Sequence, residues 1–328
     1  MEQETSISES TAPVTCPNCQ GQSKRFGRHR NGLQRYRCLE CRKTFTEDHK
    51  PAFRIEDQLT TEQGRMAIKL LVEGCSVRSA ERLTGLHRDA ILRLLVEAGK
   101  RCERIMDRLV QNVKGVKDVA ADECWGFVGM KEKTKGPELA HNDELGDCYT
   151  WIALETNTKL VLAYSVGRRT LQHAMDLMFK LRRATSSDRF QLTTDGLGSY
   201  IAAVDEMLGD RVDFAQLVKT YAAPQEPERR YSPPEFVSAT PVRISGTPDP
   251  ARICTSHVER FNLTLRTIAR RMTRLTCAFS KKLENHRAAI ALSIAYYNFC
   301  RTHSSLHVTS AMEAGIADHV WEISELLK

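Results

Sequence analysis

Four cysteines and three carboxylates, widely separated along the chain, have residue types and spacings that can do chemistry. Cys16-Pro-Asn-Cys19 and Cys38-Leu-Glu-Cys41 form two CxxC pairs with 18 residues between them. Two such knuckles on short hairpins can present four thiolates tetrahedrally to one zinc ion, the arrangement of a zinc ribbon. A redox pair would need a βαβ setting that is missing around Cys16 and Cys19. So small a unit cannot bury enough apolar area to fold unaided, and the metal must supply much of its folding free energy. The carboxylates are Asp122, Asp195 and Glu259. Brought together by folding, such acids can hold two Mg²⁺ or Mn²⁺ ions about 3.5–4 Å apart, the arrangement that activates an attacking oxygen and stabilises a leaving one in phosphodiester chemistry.

Each acid also has a duller reading. Asp195-Gly196 can be a plain turn. Asp122 can be a strand residue facing water. Its neighbour Glu123 alternates onto the same face as Trp125 and Phe127, which suits that face being the packed one and leaves Asp122 on the other. Ser256-x-x-Glu259 fits a capping box, in which Glu259 would only reach back to the helix start. His303 and His307 are spaced for a metal on one helix face, but no third ligand is near in sequence, and a surface pair is the simpler reading.

The elements that must position these residues follow from periodicity. A polar start over 1–15 is expected to be disordered. The ribbon occupies 16–50. Over 55–112 the period is helical, with Met66, Leu70 and Leu71 on one stripe, a break at Gly74, and helices over 77–83 and 87–99 joined at Gly85. That reads as a helix-turn-helix whose second helix would enter the major groove, with His87, Arg88 and Arg93 outward. Past Gly115 strands are expected over 119–128, 149–154, 160–166, 190–194 and 212–218, with helices over 170–184 and 200–208. This catalytic region spans 115–310. Seven of the eleven prolines lie from Pro224 to Pro250, so 221–255 reads as an insertion too Pro-rich for regular structure. The remainder, through a helical tail at 311–328, is helical. Val258, Phe261, Leu265, Ile268 and Met272 form the stripe of one helix and place Glu259 and Arg266 together on a neighbouring face, where Arg266 could hold a phosphate.

Charge narrows the partners. The chain carries 48 Lys+Arg against 41 Asp+Glu, a net +7. Nine of the cations against three acids fall from Cys16 to Lys50, and eight against one from Ala251 to Lys282. Two basic blocks suit two contacts on a polyanion, because each cation that neutralises a phosphate releases condensed counterions. No stretch reaches the ~18 apolar residues of a membrane span, so no membrane partner is expected. Eleven cysteines, an odd number with four in metal-type pairs, point to a reducing cytoplasm. No P-loop, GxGxxG or HExxH is present.

In series, CPNC with CLEC, DECWGFVGMKEK, LTTDGLGSY, RRYSPPE, TSHVERFNLTLR, RLTCAFSKKLENH, AYYNFCRTHSSL and AMEAGIADHVW resemble a transposase of the insertion-sequence-one (IS-one) family, in the DDE superfamily. The fold class this implies is multidomain α/β: a zinc ribbon, a helix-turn-helix, then an RNase H-like mixed α/β catalytic domain with C-terminal helices. The resemblance implies Asp122, Asp195 and Glu259 as the catalytic, Mg²⁺-binding acids, and implies that the ribbon and helix-turn-helix bind the terminal inverted repeats. DNA contacts are expected from Arg35, Arg37, Arg78, His87, Arg88, Arg93, Arg266 and Arg270. The expected partners are double-stranded DNA, both element ends and target, and further copies of the chain, in a prokaryotic, nucleoid-associated setting. The alternatives are a sequence-specific DNA-binding repressor with an inactive catalytic domain, and a structure-selective nuclease.

Overall fold

Alternation in Gln34-Arg35-Tyr36-Arg37 favours strand over helix, and the first unit of the chain is a small sheet. In the computed structural model, which describes residues 14–28, 32–47, 55–222 and 235–328, the chain divides into Met1–Arg54 and Ile55–Lys328. The expected disordered start at 1–15 lies outside the described residues except for its last two positions. In the first unit β1 (Ser23–Arg28), β2 (Gln34–Cys38) and β3 (Thr44–Thr46) pair antiparallel in that order. Tyr36 lies opposite Phe45 in the register, and their rings stack at 5.7 Å. Cys16 and Cys38 are its only fully buried apolar side chains among the described residues.

The second unit opens with α1 (Ile55–Thr60), α2 (Glu62–Val72), α3 (Val77–Thr84) and α4 (Arg88–Leu109). Thr61 caps α2 by accepting from Gly64 N, and Ser76 caps α3 by accepting from Ser79 N. Next come β4 (Asp118–Val128), β5 (Gly146–Glu155), β6 (Val161–Gly167), α5 (Leu171–Ala184), β7 (Phe190–Asp195), α6 (Ser199–Met207), β8 (Val212–Ala222) and β9 (Glu235–Ser245). The chain ends with α7 (Ser256–Ile268), α8 (Leu283–Ala295) continued as a π-helical turn, α9 (Ser310–Glu313) and α10 (Ile323–Leu326).

One sheet runs β6-β5-β4-β7-β8-β9. The β4–β7 and β7–β8 pairs are parallel and the others antiparallel. This is the mixed α/β architecture expected, with one strand more. The Pro-rich insertion is not wholly irregular: β8 continues four residues past 218, and β9 folds back on it. Pro241 is tolerated there because β9 is an edge strand, where a missing N–H breaks no ladder. Residues 223–234 of the insertion, with all of the RRYSPPE motif but Glu235, lie outside the described residues.

Leu94, Leu95, Ala98 and Cys102 of α4 belong to the same buried cluster as the sheet and α8, so the helices at 55–112 and the sheet share one core. Helix α4 runs ten residues beyond the expected end at Gly99. The reason is packing: a Cβ on Gly99 would lie 2.5 Å from Ala288 Cα and 2.6 Å from Ala288 Cβ, so this glycine marks a close approach to α8 rather than a helix stop. Gly99→Val should push the two helices apart and cost about 1–3 kcal/mol of overpacking, read as a lower melting temperature.

His286 of α8 is fully buried, with Nδ1 3.1 Å from Ser280 Oγ. Burial, then the nearby Arg271 and Arg287 charges, push its pKa down to about 4. A depressed histidine favours folding while neutral, so its contribution is full above about 6.5 and is lost as pH falls toward 4. Unfolding free energy should drop by up to about 3 kcal/mol across that window. Chemical denaturation of His286→Gln should show a flatter dependence on pH than the unaltered protein.

Candidate active site and metal centres

The two CxxC pairs close on each other. Cys16 Sγ lies 3.6 Å from Cys41 Sγ, and Cys19 Sγ 3.4 Å from Cys38 Sγ. All four sulfurs fall within 4.8 Å of one another. Tetrahedral Zn–S bonds of ~2.3 Å require sulfurs about 3.8 Å apart, so the thiols fit the ion with small adjustment. Asn18 N and Cys41 N each donate to the thiol two or three residues before them, Cys16 Sγ and Cys38 Sγ, the knuckle contacts that favour thiolate.

The acid site grows out of strand register. Ala121 of β4 pairs with Thr194 of β7, so Asp122 and Asp195 emerge side by side one step beyond, at the C-terminal tip of β7. Gly196 has an ordinary backbone; a Cβ there would meet Val218 at 3.3 Å, so close passage of β8, not a left-handed turn, suits glycine. Leu197 N donates to Asp195 Oδ1 at 3.1 Å. Asn262 Nδ2, one turn past Glu259 on α7, donates to Asp122 Oδ2 at 2.7 Å.

Glu123 joins them. Its carboxylate comes within 4.8 Å of those of Asp122 and Asp195, and its side chain is only 2% exposed. The expected packed face is reversed: Cys124, Gly126 and Val128, on the side of Asp122, are buried, while Trp125 and Phe127 are half-exposed beneath Lys131. Glu123 is nevertheless buried, its carboxylate facing those of Asp122 and Asp195. Arg169 Nη2 lies 3.6 Å from both Glu123 Oε2 and Asp195 Oδ2. Glu123 Oε1 and the Tyr200 hydroxyl are buried without a hydrogen-bond partner of good geometry.

Glu259 stands just outside the trio. Its carboxylate accepts from Lys219 Nζ of β8 and, at 2.5 Å, from Thr255 Oγ1. Thr255, not Ser256, is the N-cap residue of α7, and it makes no side-chain cap, so the capping-box reading of Glu259 fails. Against its burial, the hydrogen bonds from Lys219 and Thr255 hold the Glu259 carboxyl below its ordinary range.

The electrostatics show a site short of positive charge. Burial, then Asp195, raise Asp122 to about 6, with Glu259 adding to the effect. Burial, then Asp195, raise Glu123 to about 8 despite Arg169. Burial also raises Asp195, against its bond from Leu197 and the Arg169 charge. Clustered carboxylate oxygens, one of them orphaned, are the hard donor set that Mg²⁺ or Mn²⁺ takes.

No family model matches the chain. Over 178 residues, 54% of this chain and 94% of the relative, it is 28% identical to the insertion element iso-IS1n protein InsB of Shigella dysenteriae. The likeness read from the motifs is thereby borne out. Among solved structures, the chain is similar to a Mos1 transposase paired-end complex with left transposon end (14% identity over 51% of this chain and 60% of that one, TM-score 0.20). It is also similar to a piggyBac transposase synaptic complex with hairpin DNA (12% identity, 86% of this chain and 72% of that one, TM-score 0.35). The chain thus spans about 60% of the Mos1 chain it matches. At such TM-scores strand order and register, not superposition, define the fold.

The expected DNA contacts have different surroundings. Arg35 and Arg37 lie over the Phe26 ring at 5.7 and 5.4 Å. Arg78, Arg88, Arg93 and Arg270 are exposed. His87 is exposed but caps α4, its Nδ1 accepting from Asp89 N at 3.3 Å. Arg266 departs furthest from expectation: its guanidinium donates to the carbonyls of Met272 at 3.0 Å and Trp125 at 3.2 Å, fastening α7 to β4. His303 and His307 lie outside any helix, and His303 Nδ1 meets Ser305, which ends the paired-metal reading.

Sequence reasoning missed Glu123, Arg169, Lys219 and Asn262 as site residues. Asn262 alone was signalled, at i+3 from Glu259 on one helix face. Among the described residues, no helix is long and apolar enough to cross a membrane.

Proposed function

We propose that the chain is a DNA transposase that binds the terminal inverted repeats of an insertion sequence and catalyses metal-dependent strand cleavage and strand transfer through Asp122, Asp195 and Glu259. The observation that carries this reading is the adjacency of Asp122 and Asp195 on neighbouring parallel strands, with Glu259 close enough to raise both. Divalent ions, when bound, would polarise the phosphodiester and supply an activated oxygen for in-line displacement. Asp122, Asp195 and Glu123 would hold those ions, and Asn262 would orient Asp122. Glu259 would complete the site after leaving Lys219, whose freed ammonium would then face the DNA phosphates. Water would displace the 3′-oxygen of the element end from its phosphodiester, and the freed 3′-OH would then displace the 3′-oxygen of a target phosphodiester, each leaving oxygen taking up a proton, with no covalent enzyme intermediate.

In this reading residues 16–50 are a zinc ribbon and 55–112 a helix-turn-helix, and both hold the element ends. Residues 115–310 are the catalytic domain and 311–328 a tail. Arg35, Arg37, Arg78, His87, Arg88, Arg93 and Arg270 track DNA phosphates; Arg266 acts indirectly, by holding α7 in place. Pairing two ends calls for a dimer or larger assembly in the cytoplasm at the nucleoid. A second reading, a DNA-binding repressor with an inert site, draws on the engagement of Glu259 by Lys219 outside the acid trio.

Incubating the protein with labelled element ends, a target plasmid and Mg²⁺ separates the readings. The transposase should nick at the ends and join them to the plasmid. Specific retention of end DNA without nicking would leave the repressor, and nicking without joining would leave a nuclease.

A further inference from the structure

On the far side of α7 from the acids lies a second hollow, of about 380 Å³, bounded by the β5–β6 turn, the first turns of α7 and the segment following α8. Lys159, His257, Arg260, Arg301, His303 and Ser305 line it, and no carboxylate does. On α7, His257, Arg260 and Thr264 share a face by helical spacing, whereas Glu259 and Asn262 lie on the opposite one. The two sites are therefore separated by the body of one helix.

The cations of this hollow have few partners. Among the described residues neither Arg260 nor Arg301 makes an ion pair or a side-chain hydrogen bond, and both are exposed. Lys159 Nζ lies 3.1 Å from His257 Nδ1, and Lys159 adopts a left-handed backbone (φ 61°) that costs a side chain energy. Glu155, whose charge reaches Lys159 and His257, is buried outside the lining of the hollow, its oxygens taken by Asn157 and Thr158. Burial and then Lys159 hold both His257 and His303 below the ordinary histidine range, for His257 against the opposing charge of Glu155 and for His303 with Arg301 and Arg260 adding to the effect. Thr255 leaves the first turn of the 13-residue α7 without a side-chain cap, Ser256 N donating instead to Cys254 Sγ, and the positive end of the helix dipole adds to the field near His257.

We infer that this hollow is a phosphate-binding site separate from the acid cluster. Arg260 and Arg301 would supply forked donors, Lys159 a point charge, and Ser305 a hydroxyl. A phosphodiester of a DNA strand and a free phosphate ion offer the same oxygens; assigning the strand rests on the transposase reading, assigning the ion does not. On the first assignment the site would grip DNA behind the catalytic helix while the acids work in front of it.

The test uses the full chain, the Arg260→Gln/Arg301→Gln double variant and Arg301→Gln alone, with melting curves to check folding. Sodium phosphate at fixed ionic strength should shift the His257 and His303 side-chain NMR signals of the unaltered protein, and should do so much less in the variants. Affinity for a short duplex, measured against NaCl concentration, should fall less steeply in the double variant, its log–log slope reduced by about 1–2 because each lost phosphate contact removes roughly 0.9. Loss of both responses assigns the site to a DNA strand, and loss of the phosphate response with an unchanged slope assigns it to free phosphate. No phosphate response in the unaltered protein, or one that survives in the double variant, overturns the inference. A normal phosphate response in a protein that never nicks end DNA would sink the transposase reading alone.

Discussion

Asp122→Asn should abolish metal-dependent cleavage of element-end DNA, by at least about 10³-fold, while the protein melts at the same or a higher temperature. Three decades of rate correspond to about 4 kcal/mol, the scale on which a correctly held divalent ion stabilises charge in a transition state. Asparagine keeps the shape and an oxygen for the 2.7 Å bond from Asn262, so the wall of the site should stand. It removes a carboxylate that burial and Asp195 raise to about 6. At neutral pH that group is ionised in an unfavourable place, so neutralising it in the metal-free protein should help folding. Single-turnover cleavage together with a thermal melt checks both halves. Cleavage at the normal rate would remove Asp122 from the chemistry, and a collapsed melt would make its role structural.

Losing the first metal centre should have a comparably large effect on folding. With Cys38 and Cys41 both changed to Ser, the protein should lose its zinc, about one ion per chain, and the unit at 14–47 should unfold while the second unit keeps its own transition. The described part of that unit buries only two apolar side chains, Cys16 and Cys38, and both belong to the thiol cluster. Without the ion almost nothing is left to offset chain entropy, whereas structural zinc supplies roughly 10–16 kcal/mol in comparable small units. Metal analysis and amide NMR dispersion of the 14–47 region provide the check. Retained zinc, or native dispersion without it, would refute the ribbon.

The carboxylate change and the two thiol changes differ in how far the chain alone foretold them. The ribbon is local: CxxC spacing brings each thiol pair into a knuckle, and only one folding step is needed to join the pairs. Asp122 and Asp195 were legible as residues of a strand and a strand tip, because β-branched and aromatic alternation marks strands in one dimension. The side on which Asp122 and Glu123 would lie was not legible. Trp125 and Phe127 suggested a packed face by their size, yet half-exposed aromatics covering a lysine stem carry the same signature.

Glu259 shows the limit most plainly. Ser256 and Glu259 satisfy the capping-box spacing, and spacing cannot tell a cap from a ligand. The helix begins one residue earlier, and a lysine 40 residues upstream, on β8, takes the carboxylate. Gly99 and the Pro-rich segment misled in the same manner. A glycine in a helical pattern reads as a stop, but here it lets α8 approach within contact distance of α4. Prolines read as loop, but one of them sits on a sheet edge where its missing N–H has no ladder partner to lose.

Composition, periodicity and motif order by themselves determined the pairing of the CxxC thiols, the mixed helical and strand content, the places of Asp122 in a strand and Asp195 at a strand tip, and the likeness to an insertion-element protein, since each is written in neighbouring residues. Only the tertiary structure decided that Glu123 faces the acids, that Lys219 holds Glu259, that Arg266 braces a helix and that cations converge behind α7. Those facts depend on strand register and helix contact between segments tens to hundreds of residues apart, and no local pattern encodes a distance between such segments.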